Sequence, residues 1–167
     1  MLSTVRAPES FVPFVIRDAL IVAWSAGLLV LDARGVEGAL GTLIAVAAGA
    51  SLTLSAFLLH EWGHWLGARG TGGTVHPGRR IWSFFLFSFD TGRSDRRQFL
   101  AMSLGGYVAT LVALGIIAAL VDPGQLSGQV ALGLTTVGLI VTFAAEVPTT
   151  VRVARGAPLP TGGVYTD

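Results

Sequence analysis

The sequence predicts an all-α polytopic membrane protein with about four transmembrane helices and a short β-strand or hairpin between the second and third. Only 13% of its 167 residues are charged and 52% are hydrophobic, with a mean hydropathy of +0.69. A soluble domain carries about 25% charged residues, so the surroundings of this chain are mostly lipid. Four apolar runs approach the roughly 20 residues that cross a bilayer as a helix. Between the second and third lies an aromatic stretch too short to span. The length suits one integral-membrane domain over residues 1–167.

The first run extends from about Phe11 to Leu31 and contains Arg17 and Asp18, which can pair or snorkel to the headgroups. A cleaved signal peptide is the rival reading, but no small-residue cleavage site follows the run. The second extends from about Ala39 to Leu59 and leads into His60-Glu61-Trp62-Gly63-His64. The connection Ala68–Gln98 then turns through Gly70-Thr71-Gly72-Gly73 and reaches Ile81–Phe89, which is aromatic and strand-prone. The third run covers about Phe99 to Val121, with Gly105, Gly106 and Ala109 allowing close helix packing. The fourth covers about Val130 to Ala145 and ends at Glu146.

Arginine sets the orientation, because cytoplasmic segments are enriched in positive charge. Arg6 precedes the first run and Arg17 lies in its opening turns. Arg69, Arg79, Arg80, Arg93, Arg96 and Arg97 crowd the long connection, and Arg152 and Arg155 follow the last run. The expectation is a multi-pass protein of a bacterial inner membrane with both termini cytoplasmic. The histidine motif then lies at the cytoplasmic end of span two.

Composition also excludes. Cysteine is absent, so any metal must be held by histidine, carboxylate or water. The net charge of +1 gives no footing for nucleic acid. Lysine and asparagine are both missing.

His60 and His64 are four apart, so a helix stacks them on one face. Both can offer an imidazole nitrogen to one ion, with Glu61 placed as general base; this is the H-E-x-x-H pattern of zinc hydrolases. Ionisable residues at membrane depth are costly and mark function. A catalytic zinc commonly takes three protein ligands and an open position. The third candidates are Glu146, Asp90, Asp18, Asp95 and His76. Span two rises about 30 Å before His60, and span four rises about 24 Å before Glu146, in the same direction. The two therefore reach similar depth, making Glu146 the first choice against a carboxylate that merely ends its helix in headgroup water. Asp90 is the runner-up, in a Phe89-Asp90-Thr91-Gly92 turn. Asp18 reads as the partner of Arg17, Asp95 as a solvated loop charge and His76 as a loop residue. Trp62 and Trp65 read as interfacial anchors.

The run from His60 to Arg69, followed by Arg97-Gln98-Phe99-Leu100-Ala101-Met102-Ser103-Leu104-Gly105-Gly106, resembles the site-2 protease family of intramembrane zinc metalloproteases. The resemblance covers about residues 39–155, leaving the first helix peripheral. It implies a zinc-dependent endopeptidase that hydrolyses membrane-protein or peptide substrates near the cytoplasmic face. Glu146-Val147-Pro148 stands where the family carries an aspartate in an L-D-G context. The usual asparagine is absent, and Gly105-Gly106-Tyr107 lacks the usual proline. These departures keep a second expectation open: a catalytically degenerate metal-binding membrane protein, acting as an interaction partner or regulator in a larger complex.

Overall fold

The computed structural model describes residues 10–83 and 85–161. Arg6, used above for orientation, and Phe84, within the aromatic stretch, lie outside the described residues. The elements are α1 (Val12–Asp32), α2 (Gly38–Gly70), β1 (Val75–Pro77), β2 (Phe87–Phe89), α3 (Arg96–Leu120) and α4 (Leu126–Ala154). All four helices are long and apolar enough to cross a membrane. Large apolar side chains such as Leu20, Leu43, Leu111 and Val141 face outward on them, as lipid-facing surfaces must.

Helix α2 is the centre, packed against α1, α3 and α4. Its 33 residues rise about 50 Å, so the histidine motif lies inside the helix rather than at its end. The α2–α3 contact is made backbone to backbone. A Cβ on Gly67 would lie 2.1 Å from the Ala101 carbonyl oxygen, and one on Gly105 would lie 2.2 Å from the Gly63 oxygen. Small residues at these crossings are what let membrane helices approach so closely.

Helix α3 starts with a capping box. The Asp95 side chain accepts from Gln98 N at 2.8 Å, and the Gln98 side chain accepts from Asp95 N at 2.8 Å. Asp95 is therefore a helix cap rather than a free loop charge.

Two corrections concern element boundaries. The fourth helix does not end at Glu146 but continues through Pro148 to Ala154. Proline in a helix interior removes one backbone bond and costs about 3 kcal/mol. Burial of Val153 offsets part of this, since it is packed with Phe14, Phe89 and Phe99 and such burial contributes roughly 1.5–3 kcal/mol. The second is one of extent: the strand or hairpin expected between the second and third helices is present, but it does not use all of Ile81–Phe89. Only Phe87–Phe89 forms β2, antiparallel to β1, with His76 opposite Ser88. The carbonyls of Ile81 and Ser83 instead accept from the Arg17 guanidinium, which takes that backbone out of a ladder.

Two apolar clusters organise the interior. The larger gathers Phe14, Ala68, Leu86, Phe87, Phe89, Phe99, Met102 and Val153 at the β-hairpin end. The smaller, around Leu52, Ile117 and Ala131, lies between α2, α3 and α4 further along the bundle.

Candidate metal centre

His60 and His64 project from α2 one turn apart, 3% and 9% exposed. Their Nε2 atoms are 3.0 Å apart. Glu146, from α4, brings Oε1 to 3.5 Å from His60 Nε2 and Oε2 to 3.4 Å from His64 Nε2. Ligand atoms bound at about 2.0–2.2 Å to one tetrahedral zinc stand roughly 3.4 Å apart. The three observed separations bracket that value. Among the described residues, His60, His64 and Glu146 form the group whose ligand atoms converge, all within 4.8 Å of one another.

The far side of each ring sets which neutral tautomer fits. His64 Nδ1 lies 2.9 Å from the Met102 carbonyl oxygen. A carbonyl only accepts, so Nδ1 carries a proton, and in the neutral ring Nε2 presents a lone pair. His60 Nδ1 lies 3.1 Å from the Gly106 carbonyl oxygen and 2.8 Å from Thr110 Oγ1. Thr110 itself donates to Gly106 O at 2.9 Å, leaving its lone pairs for His60 Nδ1–H. With the rings neutral, two nitrogen lone pairs and a carboxylate converge, a donor set that could hold a metal ion. Outer partners of this kind hold metal-ligating histidines in register.

Two further features shape the cradle. A Cβ on Gly106 would lie 2.3 Å from His64 Cε1 and 2.4 Å from His64 Nε2, so the ring occupies space that only glycine leaves open. Tyr107 packs edge-on against Phe143 of α4 at 5.1 Å between centroids, and its hydroxyl bonds Thr150 Oγ1 at 2.7 Å. It thereby ties α3 to the part of α4 that carries Glu146.

Glu61 is 7% exposed, and its Oε2 accepts from Leu86 N at 3.1 Å. It shares with His64, Glu146, Phe85, Phe87, Phe89 and Met102 the lining of one recess of about 50 Å³. A water needs about 10–15 Å³ measured this way, so the recess has room for a few waters. Glu61 therefore shares this space with His64 and Glu146, while His60 lines a neighbouring recess with Thr110 and Thr135.

The remaining sequence candidates lie elsewhere. Asp90 caps its own turn, accepting from Gly92 N and Arg93 N at 3.0 and 3.1 Å. Its other oxygen is 3.6 Å from His76 Nε2, so Asp90 and His76 face each other outside the converging group. Asp18 pairs with Arg17 Nε at 2.6 Å and accepts from Trp62 Nε1 at 2.8 Å. Thr110 and the Leu86 amide escape the sequence reading, which takes Gly106 only as a helix-packing residue. Thr110 stands one helical turn after Gly106, but Ser103 and Tyr107 also place hydroxyls on α3, so the sequence alone does not single it out. Comparison of the chain with protein-family models, with curated proteins and with solved structures returned no match.

Proposed function

We propose that the protein is an intramembrane zinc metallopeptidase, with His60, His64 and Glu146 as metal ligands and Glu61 as general base. The observation that carries the reading is the convergence of His60 Nε2, His64 Nε2 and the Glu146 carboxylate at 3.0–3.5 Å, with both Nδ1 atoms committed to backbone carbonyls. The donor set, two imidazoles and a carboxylate, is that of hydrolytic zinc sites. A zinc ion held there would supply a Lewis acid that polarises a carbonyl and lowers the pKa of water toward about 7.

Glu61 takes the proton from the attacking water and returns it to the leaving amine. Leu86 N–H holds the carboxylate oriented from the hairpin side. Phe85, Phe87 and Phe89 make the recess wall apolar and limit the water around the reacting carbonyl. A helical substrate hides its peptide bonds, so it must unwind. The pairings Asp90 N to Thr74 O and Gly78 N to Leu86 O turn residues 86, 88 and 90 toward β1. The backbone groups of Phe87 and Phe89 then face the opposite edge, where an extended substrate segment can add as a strand. The clustering of Arg69, Arg96, Arg97 and Arg155 at this end of the helices supports a cytoplasmic-side site in a multi-pass inner-membrane protein with both termini cytoplasmic.

The test uses zinc-loaded protein in detergent or nanodiscs with a panel of single-span peptides. Wild type should cleave within or beside the span. Glu61→Gln should hold the same zinc and lose about 10²–10⁴-fold in rate. Equal cleavage by Glu61→Gln would remove Glu61 from the chemistry. Zinc binding without cleavage of any span would instead favour a metal-binding partner protein.

A further inference from the structure

Arg17 and Asp18 form an ion pair inside the apolar body of the protein, with side chains 9% and 8% exposed, and the proposed chemistry does not use them. Buried charges at membrane depth are retained when they hold something. Here both ends of the pair hold the active-site roof. Arg17 Nε bonds Asp18 at 2.6 Å, while its Nη1 bonds the carbonyl oxygens of both Ile81 and Ser83, the latter at 3.0 Å. Those carbonyls belong to the segment that ends at Leu86, whose amide orients Glu61. The Asp18 carboxylate also accepts from the indole of Trp62, the residue next to Glu61. One turn earlier on α1, Phe14 is fully buried against the cluster containing Leu86, Phe87 and Phe89, and its ring lies 5.1 Å from the Arg17 guanidinium.

We propose that Arg17 is a positioning residue: with Asp18 it latches the Ile81–Ser83 segment to α1 and thereby holds the Leu86 amide against Glu61. Helix α1 is on this account a working part of the site. The latch itself rests on the contacts alone; its effect on turnover rests on the peptidase reading. The guanidinium reaches the carboxylate through Nε and the two carbonyls through Nη1, so lysine, with all its donors on one nitrogen at the end of a flexible stem, is a poor substitute.

The full chain is tested as Arg17→Gln, Arg17→Lys and the double variant Arg17→Gln/Asp18→Asn. The double variant leaves no unpaired buried carboxylate and keeps the test open if Arg17→Gln fails to fold. The first readout is amide hydrogen exchange over Ile81–Leu86, with bound zinc per chain measured alongside. Exchange there should rise in the double variant and, less so, in Arg17→Lys, while zinc stoichiometry stays at the wild-type value. Unchanged exchange over this segment, or a uniform rise across all four helices, would overturn the latch. The second readout is cleavage, which should fall on the order of 100-fold at unchanged KM, the cost of misplacing a catalytic group by about 1 Å. Raised exchange with wild-type kcat would overturn the coupling to Glu61. If wild type cleaves nothing, the peptidase reading fails, while the exchange measurement still decides the latch.

Discussion

Gly106→Ala should cost metal affinity rather than fold. The new Cβ would lie 2.3, 2.4 and 2.6 Å from Cε1, Nε2 and Nδ1 of His64. Carbon contacts are comfortable at about 3.5–4.0 Å, so the ring and the Cβ must separate by roughly 1 Å. The ring has nowhere cheap to go. Its Nδ1 is bonded to Met102 O at 2.9 Å, and Cβ of residue 106 belongs to the backbone of a helix packed tightly on α2. Metal–ligand distances tolerate only about 0.2 Å, so a shift of that size takes His64 out of the ligand set or breaks its outer hydrogen bond. Loss of outer support alone costs about 10–100-fold in metal affinity, and overpacking adds about 1–3 kcal/mol of destabilisation. The assay is a competitive chelator titration of purified protein, with helix content followed by circular dichroism. Zinc affinity should fall at least tenfold while the helical signal persists. Wild-type zinc affinity in folded Gly106→Ala would refute the placement of His64 as a ligand. Gly115→Ala, where an added Cβ meets nothing within 4 Å, is the matched control.

Thr110→Val keeps the shape but removes the hydroxyl 2.8 Å from His60 Nδ1; zinc affinity should drop about 10–100-fold in the same titration. Gly67→Ala drives a Cβ to 2.1 Å from the Ala101 carbonyl oxygen, backbone that cannot swing aside, so thermal unfolding should show a loss of about 1–3 kcal/mol or more. Leu86→Pro deletes the amide that Glu61 accepts from; zinc should remain bound and the cleavage rate should fall, measured on the zinc-loaded protein. Chelation should lower the midpoint of thermal unfolding, because a ligand bound to the folded state stabilises it by RT ln(1 + [L]/Kd).

The four helices were legible because each apolar run approaches the spanning length on its own, without tertiary information. His60, Glu61 and His64 were legible because helical periodicity converts a four-residue spacing into a shared face. Glu146 was legible for a less local reason: two helices of known rise, running in parallel, must bring certain residues to one depth. The extension of α4 to Ala154 was not, because it depends on Val153 finding a pocket among Phe14, Phe89 and Phe99, residues from three other parts of the chain. The extent of the strand within the aromatic stretch was hidden for a related reason. Its β-propensity is real, yet Arg17, more than sixty residues away, takes the Ile81 and Ser83 carbonyls. Asp95 is a different case, since Asp95 and Gln98 already stand at capping-box spacing. That signal is local, but Asp95 among Arg93, Arg96 and Arg97 fits a solvated loop charge equally well.

The central claim is that one zinc is held by His60, His64 and Glu146. X-ray absorption at the zinc edge, on protein loaded with one equivalent, reads this directly. The account predicts a low-coordinate shell of nitrogen and oxygen at about 2.0–2.2 Å, with imidazole scattering from two rings, and loss of one ring's contribution in His60→Ala. A shell of oxygens without imidazole scattering, or one unchanged by both His60→Ala and Glu146→Ala, would contradict it.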